Sequence, residues 1–487
     1  MKNIFKLLLI ALMFSACDDE DIFQEDPDSI VIENFFQTEE EFNSALRGVY
    51  SRMKTVGYYG GSGASGDFII TGDLLADNLI SNPDGRRSNF RSHNWQYNDN
   101  TTPTVLYNQA YISVARVNLI LDNLDNLEDG TVKDQIRGEA LALRASLLFD
   151  VARLYSEIPT QSANSNQSIG VAYPLSFDPT GSPSRVATVQ ETYDLINADL
   201  DSAISLIGSA NASDKTRFDL NVVRGIISRV ALHQGNYQRV IQFAQPVVST
   251  VSPAQASELG GLWTTANSAG VLFELPFIIG DELLDTNFSQ GAGTNLVTEY
   301  NADKAFYDLY DQATEPERIA AYFVIQNNWI AVNKYIQGSQ QQGLNNGRYL
   351  RVEEVILNLA EAQYLDTSVS EASALATLDI LRNARYSSFT GGETGDALFD
   401  AIMLERRKEL AFESSDRWFT IKRLQGVSGI PSSYTVGVVR SGNGHLADGT
   451  GVVLPEQTLP AGDFRFQLPL QQSWLLENLN LVQNRGY

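Results

Sequence analysis

The only cysteine of the chain, Cys17, lies where a thiol can be lipidated. An apolar run at residues 7–14 follows a basic start, and Ser15 and Ala16 come directly before the cysteine. This is the order of a bacterial secretory signal, and its apolar run is too short to span a bilayer. A small-small-Cys ending is that of a lipobox, in which the thiol receives a diacylglycerol and acyl chains such as palmitate hold the protein on a membrane. We therefore predict a lipoprotein signal peptide at residues 1–16 and lipidation of Cys17; the alternative is an ordinary cleaved signal.

Residue patterns for catalysis or metal binding are weak. The three histidines, His93, His233 and His445, are scattered and lack the spacing of metal ligands. Residues 61–66 fit the dinucleotide pattern by letter, but no strand precedes them and no helix with a ribose-binding acid follows. No Gly-x-Ser-x-Gly elbow occurs, and lipidation would remove the single thiol. A paired-carboxylate hydrolase stays open because 59 acidic residues allow many pairs. We predict that the protein is not an enzyme and has no catalytic residues, no cofactor and no metal.

Composition fits a water-facing exported domain. The 487 residues are 43% hydrophobic, which is enough for a large core, and the net charge is −24. Nucleic acid binding requires the opposite sign, so we predict no nucleic acid partner. The acid excess favours solubility and would suit cationic ligands or Ca²⁺, but no motif supports a structural calcium. After the signal, no apolar run approaches the length that crosses a bilayer.

Helical periodicity identifies the elements that must position any site. Thr38 and Glu41 form a capping box that opens a helix with Phe42, Leu46 and Val49 on one face. Alanines recur where helices would pack closely, and antiparallel pairs with such a seam are the unit of tetratricopeptide-like arrays. The sequence thus predicts a mainly α fold, a tetratricopeptide-like scaffold of helical pairs with large irregular loops. Further helices are predicted at residues 107–124, 133–155, 188–207, 221–234, 237–248, 349–365, 370–385 and 397–412.

The remaining segments divide the chain. Residues 17–34 read as an acidic tether behind the lipid, since like charges extend such a stretch. Residues 35–487 follow as one helical domain. Glycine and proline concentrate near residues 155–188, 251–302 and 426–467, which we interpret as insertions on one face, where binding residues usually lie.

Residues 405–413 read Glu-Arg-Arg-Lys-Glu-Leu-Ala-Phe-Glu, and Arg417-Trp418-Phe419 and Lys422-Arg423 follow them. This run is the most specific match in a set of helices that resembles the signatures of the SusD/RagB family of lipoproteins. The resemblance spans nearly the whole chain in the right order, with the lipobox in front. Its other segments are residues 139–159, 224–248, 351–362 and the C-terminal 468–487.

The resemblance implies a surface-exposed lipoprotein of the cell outer membrane that captures oligosaccharides. Such proteins deliver their ligand to a SusC-like TonB-dependent barrel, which would be the partner of this chain. Some relatives take up peptides, and only five tryptophans occur here, so peptide capture in the same importer role stays open.

Within this resemblance, residues 58–95 supply the chemistry of a saccharide site. Aromatic planes stack on sugar rings, and planar polar groups grip hydroxyls in a mostly apolar hollow. Asp77 and Trp95 match, by position, an Asp and a Trp that often bind glycans in relatives, although Trp95 could equally be a packing residue. Tyr58 and Tyr59 look exposed in a glycine-serine loop. We predict ligand contacts from Tyr58, Tyr59, Asp77, Asn78, Arg86 and Trp95; the same window also holds Asp67, Asp73, Asn82 and Arg87.

The charged motif has a structural interpretation. Glu405 and Glu409 could serve as a general acid, but charges on packed helices are normally paired, so we predict buried ion pairs. Trp418 is predicted to fill the core rather than to stack on sugar.

Overall fold

The computed structural model describes residues 35–60, 67–291 and 295–487. Cys17, the signal peptide, the tether and the loop at 61–66 therefore lie outside the described residues. The fold is mainly helical and tetratricopeptide-like, as the sequence predicts. The longer helices are α1 (Glu39–Met53), α2 (Phe68–Leu75), α4 (Leu106–Asp122), α5 (Thr131–Tyr155), α6 (Val189–Leu206), α7 (Leu220–Gln234), α8 (Tyr237–Val248), α12 (Val352–Leu365), α13 (Glu371–Asn383), α14 (Asp396–Glu409) and α15 (Asp416–Leu424).

Packed helix pairs build the scaffold. Helix α5 packs against α4 and α6, and α12 packs against α8 and α13. Ala140, Ala142 and Ala145 are fully buried, so the helix backbones approach closely at the predicted seam. Gly235 ends α7 with a φ of 69°, a left-handed conformation that favours glycine, and Asn236 then caps α8.

The ends of the predicted helices follow local chemistry. Helix α1 begins with the predicted capping box, in which the Glu41 amide donates to Thr38 Oγ1 at 3.4 Å and the Thr38 amide donates to Glu41 Oε2 at 2.7 Å. The helix predicted from residue 349 begins only at Val352, because residues 347–351 pair with another strand. The helix predicted to residue 412 ends at Glu409, and Phe412 has a φ of 66°.

Short antiparallel strand pairs lie between the helices, where the sequence predicted only irregular loops. They pair β1 (Leu79–Ser81) with β5 (Tyr300–Ala302), β2 (Val271–Leu275) with β8 (Gly347–Arg351), β3 (Ser289–Gln290) with β4 (Val297–Thr298), β6 (Phe323–Gln326) with β7 (Trp329–Val332), and β9 (Gly437–Arg440) with β10 (Gln457–Pro460). The remaining helices are short: α3 (Phe90–His93), α9 (Leu259–Leu262), α10 (Lys304–Tyr307), α11 (Pro316–Tyr322) and α16 (Gln472–Glu477). Two of the strand pairs, β1–β5 and β9–β10, border the site described below.

None of the helices in the described ranges is both long enough and apolar enough to cross a bilayer. In the same residues, no group of three or more His, Cys, Asp or Glu side chains is arranged to hold a metal ion.

Candidate ligand-binding site

Tyr58 and Tyr59 are fully buried, so the expectation that they are exposed is wrong. Their rings stack at a centroid distance of 5.5 Å, and both lie against Phe68. Tyr58 donates its hydroxyl proton to Asp150, and the Tyr59 hydroxyl lies 2.6 Å from Ser414 Oγ. Because a buried tyrosine gains most when its ring is packed and its hydroxyl is bonded, both residues serve the core in this structure.

Asp77 and Asn78 tie the window to the charged motif. Arg417 donates to both oxygens of Asp77 at 2.7 Å, and Arg407 lies 3.1 Å from the same carboxylate. Burial opposes ionisation, but these two guanidiniums hold the pKa of Asp77 well below its ordinary value. Asn78 is buried, donates to Asp73 at 2.8 Å and accepts from Arg407 at 2.9 Å. The polar groups of Asp77 and Asn78 are thus engaged by protein partners.

Trp95 is only 6% exposed and lies at the inner edge of the window. Its Nε1 donates to the Leu75 carbonyl at 2.9 Å, and the Arg440 guanidinium stacks 4.1 Å from the ring centroid. Arg86 keeps 48% of its side chain exposed while it pairs with the buried Glu299. Of the six predicted contacts, the structure therefore leaves Arg86 the most accessible. Of the four further residues that the sequence analysis names in the window, Asp67, Asp73 and Asn82 are buried, and Arg87 stacks on Phe90 at 4.6 Å.

A cleft with a volume of about 290 Å³ opens directly beside this window. Three stretches of chain form it: residues 79–96, the start of α10, and the β9–β10 hairpin with its loop. The predicted window thus borders a cavity, but side chains other than those selected from the sequence face it. They include Phe90, His93, Asn94, Gln96, Asp303, Asn443 and Pro455.

The apolar side of the cleft is an accessible aromatic ring. Phe90 is 36% exposed, and Arg87 holds it in place by stacking on it. Pro455 and the half-buried Leu454 line the same cleft. An exposed ring in a concave site gives a flat apolar surface on which a sugar or another ring can stack.

Polar groups with spare hydrogen-bonding capacity lie in the same cleft. Asp303 accepts from the Ala305 amide at 2.8 Å and from Asn443 at 2.7 Å, both through Oδ1. Oδ2 has no hydrogen-bond partner among the described residues. Burial raises the pKa of this carboxyl. The exposed side chain of Gln96 is likewise unengaged within the described part of the chain. An amide and a carboxylate oxygen can together donate to and accept from a ligand hydroxyl.

His93 adds an acceptor to this wall. Its Nδ1 lies 3.0 Å from the Leu74 carbonyl, so Nδ1 carries the hydrogen and Nε2 is an acceptor. Burial, and then the Arg440 charge, hold the pKa of His93 well below its ordinary value. The imidazole is therefore neutral at pH 7.

Arg440 fixes the geometry of the site from β9. Its guanidinium donates to the Ala76 carbonyl at 2.8 Å, to Leu74 at 3.0 Å and to His93 at 2.5 Å. It also donates to Gln457 Oε1 at 3.1 Å across the hairpin. One buried side chain thus joins the hairpin to the end of α2 and to the short helix α3 that presents Phe90.

Three residues other than glycine have a strained backbone conformation in this region. Arg87, Asn89 and Trp95 have φ values of 56°, 62° and 53°, in the left-handed region. Such residues cost on the order of 1–3 kcal/mol each and persist where surrounding contacts hold them, commonly at binding sites. Asn89 precedes α3 directly, so the strained turn determines where the Phe90 ring points.

The centre of the charged motif forms buried ion pairs, as predicted. Glu409 has no exposed surface and accepts from Arg318 at 2.9 Å, from Arg351 at 2.9 Å and from Arg385 at 2.7 Å. Glu405 is also buried and pairs with Arg318. Trp418 is fully buried and stacks on Phe466 at 4.7 Å. These contacts confirm the structural interpretation of the motif.

Sequence reasoning missed Asp303, which directly follows the insertion at 251–302, and Arg440 and Asn443, which lie in the insertion at 426–467. It also passed over Phe90 and Asn94 inside the window that it selected, and Gln96 directly after it. The available signal was the spacing of an aromatic residue and two amides in a loop, Phe90, Asn94 and Gln96, which favours a site over a packed element.

Comparison with known proteins finds a related family in each half of the chain. Residues 25–232 match a family described as starch-binding and associating with the outer membrane, and residues 280–487 match the SusD family. The chain is 23% identical to SusD-like protein P2 of Formosa agariphila over 540 residues, which covers 99% of each chain.

Solved structures share the fold. A SusD superfamily protein from Bacteroides thetaiotaomicron superposes with a TM-score of 0.74 at 22% identity, covering 92% of this chain and 99% of its own. Surface glycan-binding protein A from Bacteroides uniformis gives 0.73 at 18% identity, with the same two coverages.

Proposed function

This chain belongs to the SusD/RagB family, and we propose that it captures oligosaccharides at the surface of an outer membrane and delivers them to a SusC-like TonB-dependent transporter. The family is one of nutrient-binding proteins rather than enzymes. The observation that supports an oligosaccharide ligand is the cleft formed in part by residues 79–96, where an exposed ring adjoins polar groups that have no hydrogen-bond partner in the described ranges.

The chemistry of the cleft suits a hydroxyl-rich ligand. Phe90 offers a stacking face, while Asp303 Oδ2 and the Gln96 amide offer an acceptor and a donor–acceptor pair. A sugar hydroxyl both donates and accepts, so it can satisfy such mixed groups at once. Arg86, half exposed at the window, extends the donors toward solvent. Asp77, Asn78 and Trp95 then act by holding the cleft in shape.

Calorimetric titration with hexasaccharides of different linkage, set against mixed-sequence hexapeptides, tests the ligand class. We expect binding of at least one saccharide and a weaker response to every peptide. Asp303→Asn should lower the affinity, because one charged acceptor is lost at a site where Asn keeps the shape. If only peptides bind, the ligand is a peptide and the oligosaccharide assignment is wrong.

The location is a second part of the proposal. Residues 1–16 act as a signal peptide, Cys17 carries the lipid, and residues 17–34 tether the domain at 35–487. Cys17→Ala should move the protein out of the membrane fraction in cells that lack the barrel partner. Retention in the membrane fraction under those conditions would contradict the lipid anchor.

Turnover is not part of the proposed function. Incubation of each bound saccharide with the purified protein should leave it intact when analysed by mass spectrometry. Cleaved product in molar excess over protein would instead favour a surface hydrolase.

A further inference from the structure

A second cavity, of about 590 Å³, lies near the C-terminal end of the chain. It is formed by the segment after α5, by residues 462–467 and by the C-terminal residues 484 and 485. It is larger than the cleft beside Phe90 and shares no lining residue with it. The two cavities are therefore distinct sites.

An accessible aromatic ring lines this cavity as well. Phe464 is 39% exposed, and Tyr487 packs edge-on against it at 5.1 Å. Gly486 has a φ of 98° and lies so close that a Cβ there would come within 2.3 Å of the ring. The glycine thus allows the backbone to support one side of Phe464 while the ring keeps an accessible surface.

The polar groups around this ring are incompletely used. Glu157 accepts hydroxyl protons from Ser165 at 2.6 Å and from Ser162 at 3.2 Å, both through Oε2. Gln467 donates to Gln161 at 3.0 Å. Within the described ranges, Glu157 Oε1, Gln467 Oε1 and the exposed Arg485 have no partner. The serine hydroxyls orient the Glu157 carboxylate and leave its other oxygen available.

The charges of the lining balance. Arg465 engages both oxygens of Asp463, at 2.8 Å and 2.7 Å, so that acid is neutralised within the protein. Glu157 and Arg485 then contribute one charge of each sign. A strongly charged ligand would meet repulsion from one of them, whereas a neutral ligand with donors and acceptors can use both.

We propose that this cavity is a second saccharide-binding site, which takes a neutral sugar stacked on Phe464 and bonded by Glu157, Gln467 and Arg485. The ligand class rests on the proposed function of the first cleft. The two sites are linked by aromatic rings: Tyr97, next to Gln96 of the first cleft, stacks on Tyr487 at 6.4 Å. Tyr97 also donates to the Arg465 carbonyl at 2.5 Å, so the wall between the cavities is tied together.

The test uses the purified full chain, neutral hexasaccharides of glucose, xylose and mannose, and the variants Phe464→Ala, Phe464→Trp and Phe90→Ala. Calorimetry should give two saccharides per wild-type protein for at least one probe, and one per protein after Phe464→Ala. Phe464→Trp should restore the second, because it replaces the ring. Ordered sugar in crystals soaked with the same probe should contact Phe464 in the wild type and be absent from this cavity in Phe464→Ala.

The outcomes separate the two proposals. If Phe90→Ala abolishes all binding and Phe464→Ala changes nothing, the second site is wrong and the first stands. If Phe464→Ala removes the only binding, the second site stands and the first cleft is wrong. If no probe binds wild-type protein, both assignments are wrong. Thermal melts of all three variants serve as the folding control, since both phenylalanines are more than one-third exposed.

Discussion

Two regions of this protein use arginines and carboxylates in opposite ways. In the cluster around Glu409, each charge lies out of water and meets several partners: Arg351 bonds Glu409 and Glu413, and Arg385 bonds Glu409 and Glu353. In the cleft beside Phe90, one oxygen of Asp303 has no hydrogen-bond partner among the described residues. The densest charges of the sequence therefore stabilise the fold, while the proposed ligand site lies where polar groups are incompletely hydrogen-bonded.

The two regions are nevertheless joined. Arg407 leaves the charged helix α14 and donates to Asn78 at 2.9 Å and to the Asp77 carbonyl at 3.0 Å. Arg417, from α15, holds the Asp77 side chain. Residues 77 and 78 lead directly into β1, whose Leu79 and Ile80 line the cleft. The sealed cluster thus supports the floor of the open site.

The largest effect is expected when the cluster is broken at its centre. Glu409→Gln leaves Arg318, Arg351 and Arg385 buried without their shared carboxylate, which should lower the free energy of unfolding at the upper end of about 3–5 kcal/mol. Urea denaturation measures the change. Glu40→Gln is the matched control, because its partner Arg47 is exposed, and it should cost less than about 1 kcal/mol. Equal effects of the two variants would contradict the comparison.

Low pH should reduce the difference in the free energy of unfolding between the wild type and Glu409→Gln. Burial opposes ionisation of Glu409, but Arg385, Arg351 and Arg318 hold its pKa well below the ordinary 4.5. Its stabilisation is therefore complete above that value and is lost as the pH falls toward the folded pKa. Denaturation curves at pH 7 and pH 4 should show the smaller gap between wild type and Glu409→Gln at pH 4.

The second effect concerns the boundary between the regions. Trp95→Ala should lower the free energy of unfolding by about 3 kcal/mol, since it removes a ring that is 6% exposed and that carries Arg440. Trp95→Phe, which keeps a ring, should cost less than Trp95→Ala. Thermal melts with calorimetry on each variant separate stability from binding. A stable Trp95→Ala protein with weakened binding would make Trp95 a ligand platform instead.

Much of the helical scaffold could be predicted from the sequence because helices are local. The capping box at Thr38 specifies the start of α1, and the Gly235-Asn236 turn specifies the end of α7. The start of α12 could not be predicted, because residues 347–351 pair with β2, which lies far away in the chain. Strand pairing of this kind depends on contacts that no window of sequence contains.

The predicted window borders the cleft, but most of the side chains that line the cleft were not selected from the sequence. Glycines around Tyr58 and Tyr59 suggested exposure, yet both rings face the core and their hydroxyls find buried partners. Which side of a loop faces solvent depends on what packs against it, here Phe68 and Tyr349. Asp303 and Arg440 reach the cleft from parts of the chain more than two hundred residues after Phe90, so periodicity gave no signal for them.

A third expected effect concerns Lys422, a buried cation that forms no ion pair with the residues that the structure describes. Lys422 is fully buried and donates to the carbonyls of Arg153 and Ser156, at 2.8 Å and 2.7 Å. Burial lowers its pKa from 10.5 to about 7, and the more distant Glu157 opposes this only weakly. Between these values the unfolded chain binds a proton that the folded chain does not, so stability rises with pH.

Lys422→Met should remove that dependence. The free energy of unfolding of the wild type, relative to Lys422→Met, should rise by about 2 kcal/mol from pH 7 to pH 9. Lys334 is also buried, and burial lowers its pKa to about 8, but it titrates in both proteins and cancels in the difference. Urea denaturation at pH 7, 8 and 9 gives the slopes. Parallel slopes for the two proteins would show that Lys422 keeps its proton.

The smallest effect belongs to the open site. Phe90 is 36% exposed and supports little of the core, so Phe90→Ala should leave the melting temperature nearly unchanged. Loss of its stacking face should weaken saccharide binding by about 1 kcal/mol, roughly five-fold in Kd. Phe90→Tyr, which keeps the ring, should bind like the wild type, and calorimetric titration measures the affinity of all three proteins.

The matched control is Phe399→Ala, which removes a fully buried ring. It should lower the free energy of unfolding by about 3–5 kcal/mol and leave saccharide binding by the folded fraction unchanged. Two results would contradict the assignment of the cleft: Phe90→Ala unfolds the protein, or Phe90→Ala binds saccharide as tightly as the wild type. In either case the exposed Phe90 ring does not mark the ligand-binding surface, and the contrast between the buried cluster and the open cleft does not identify the functional site.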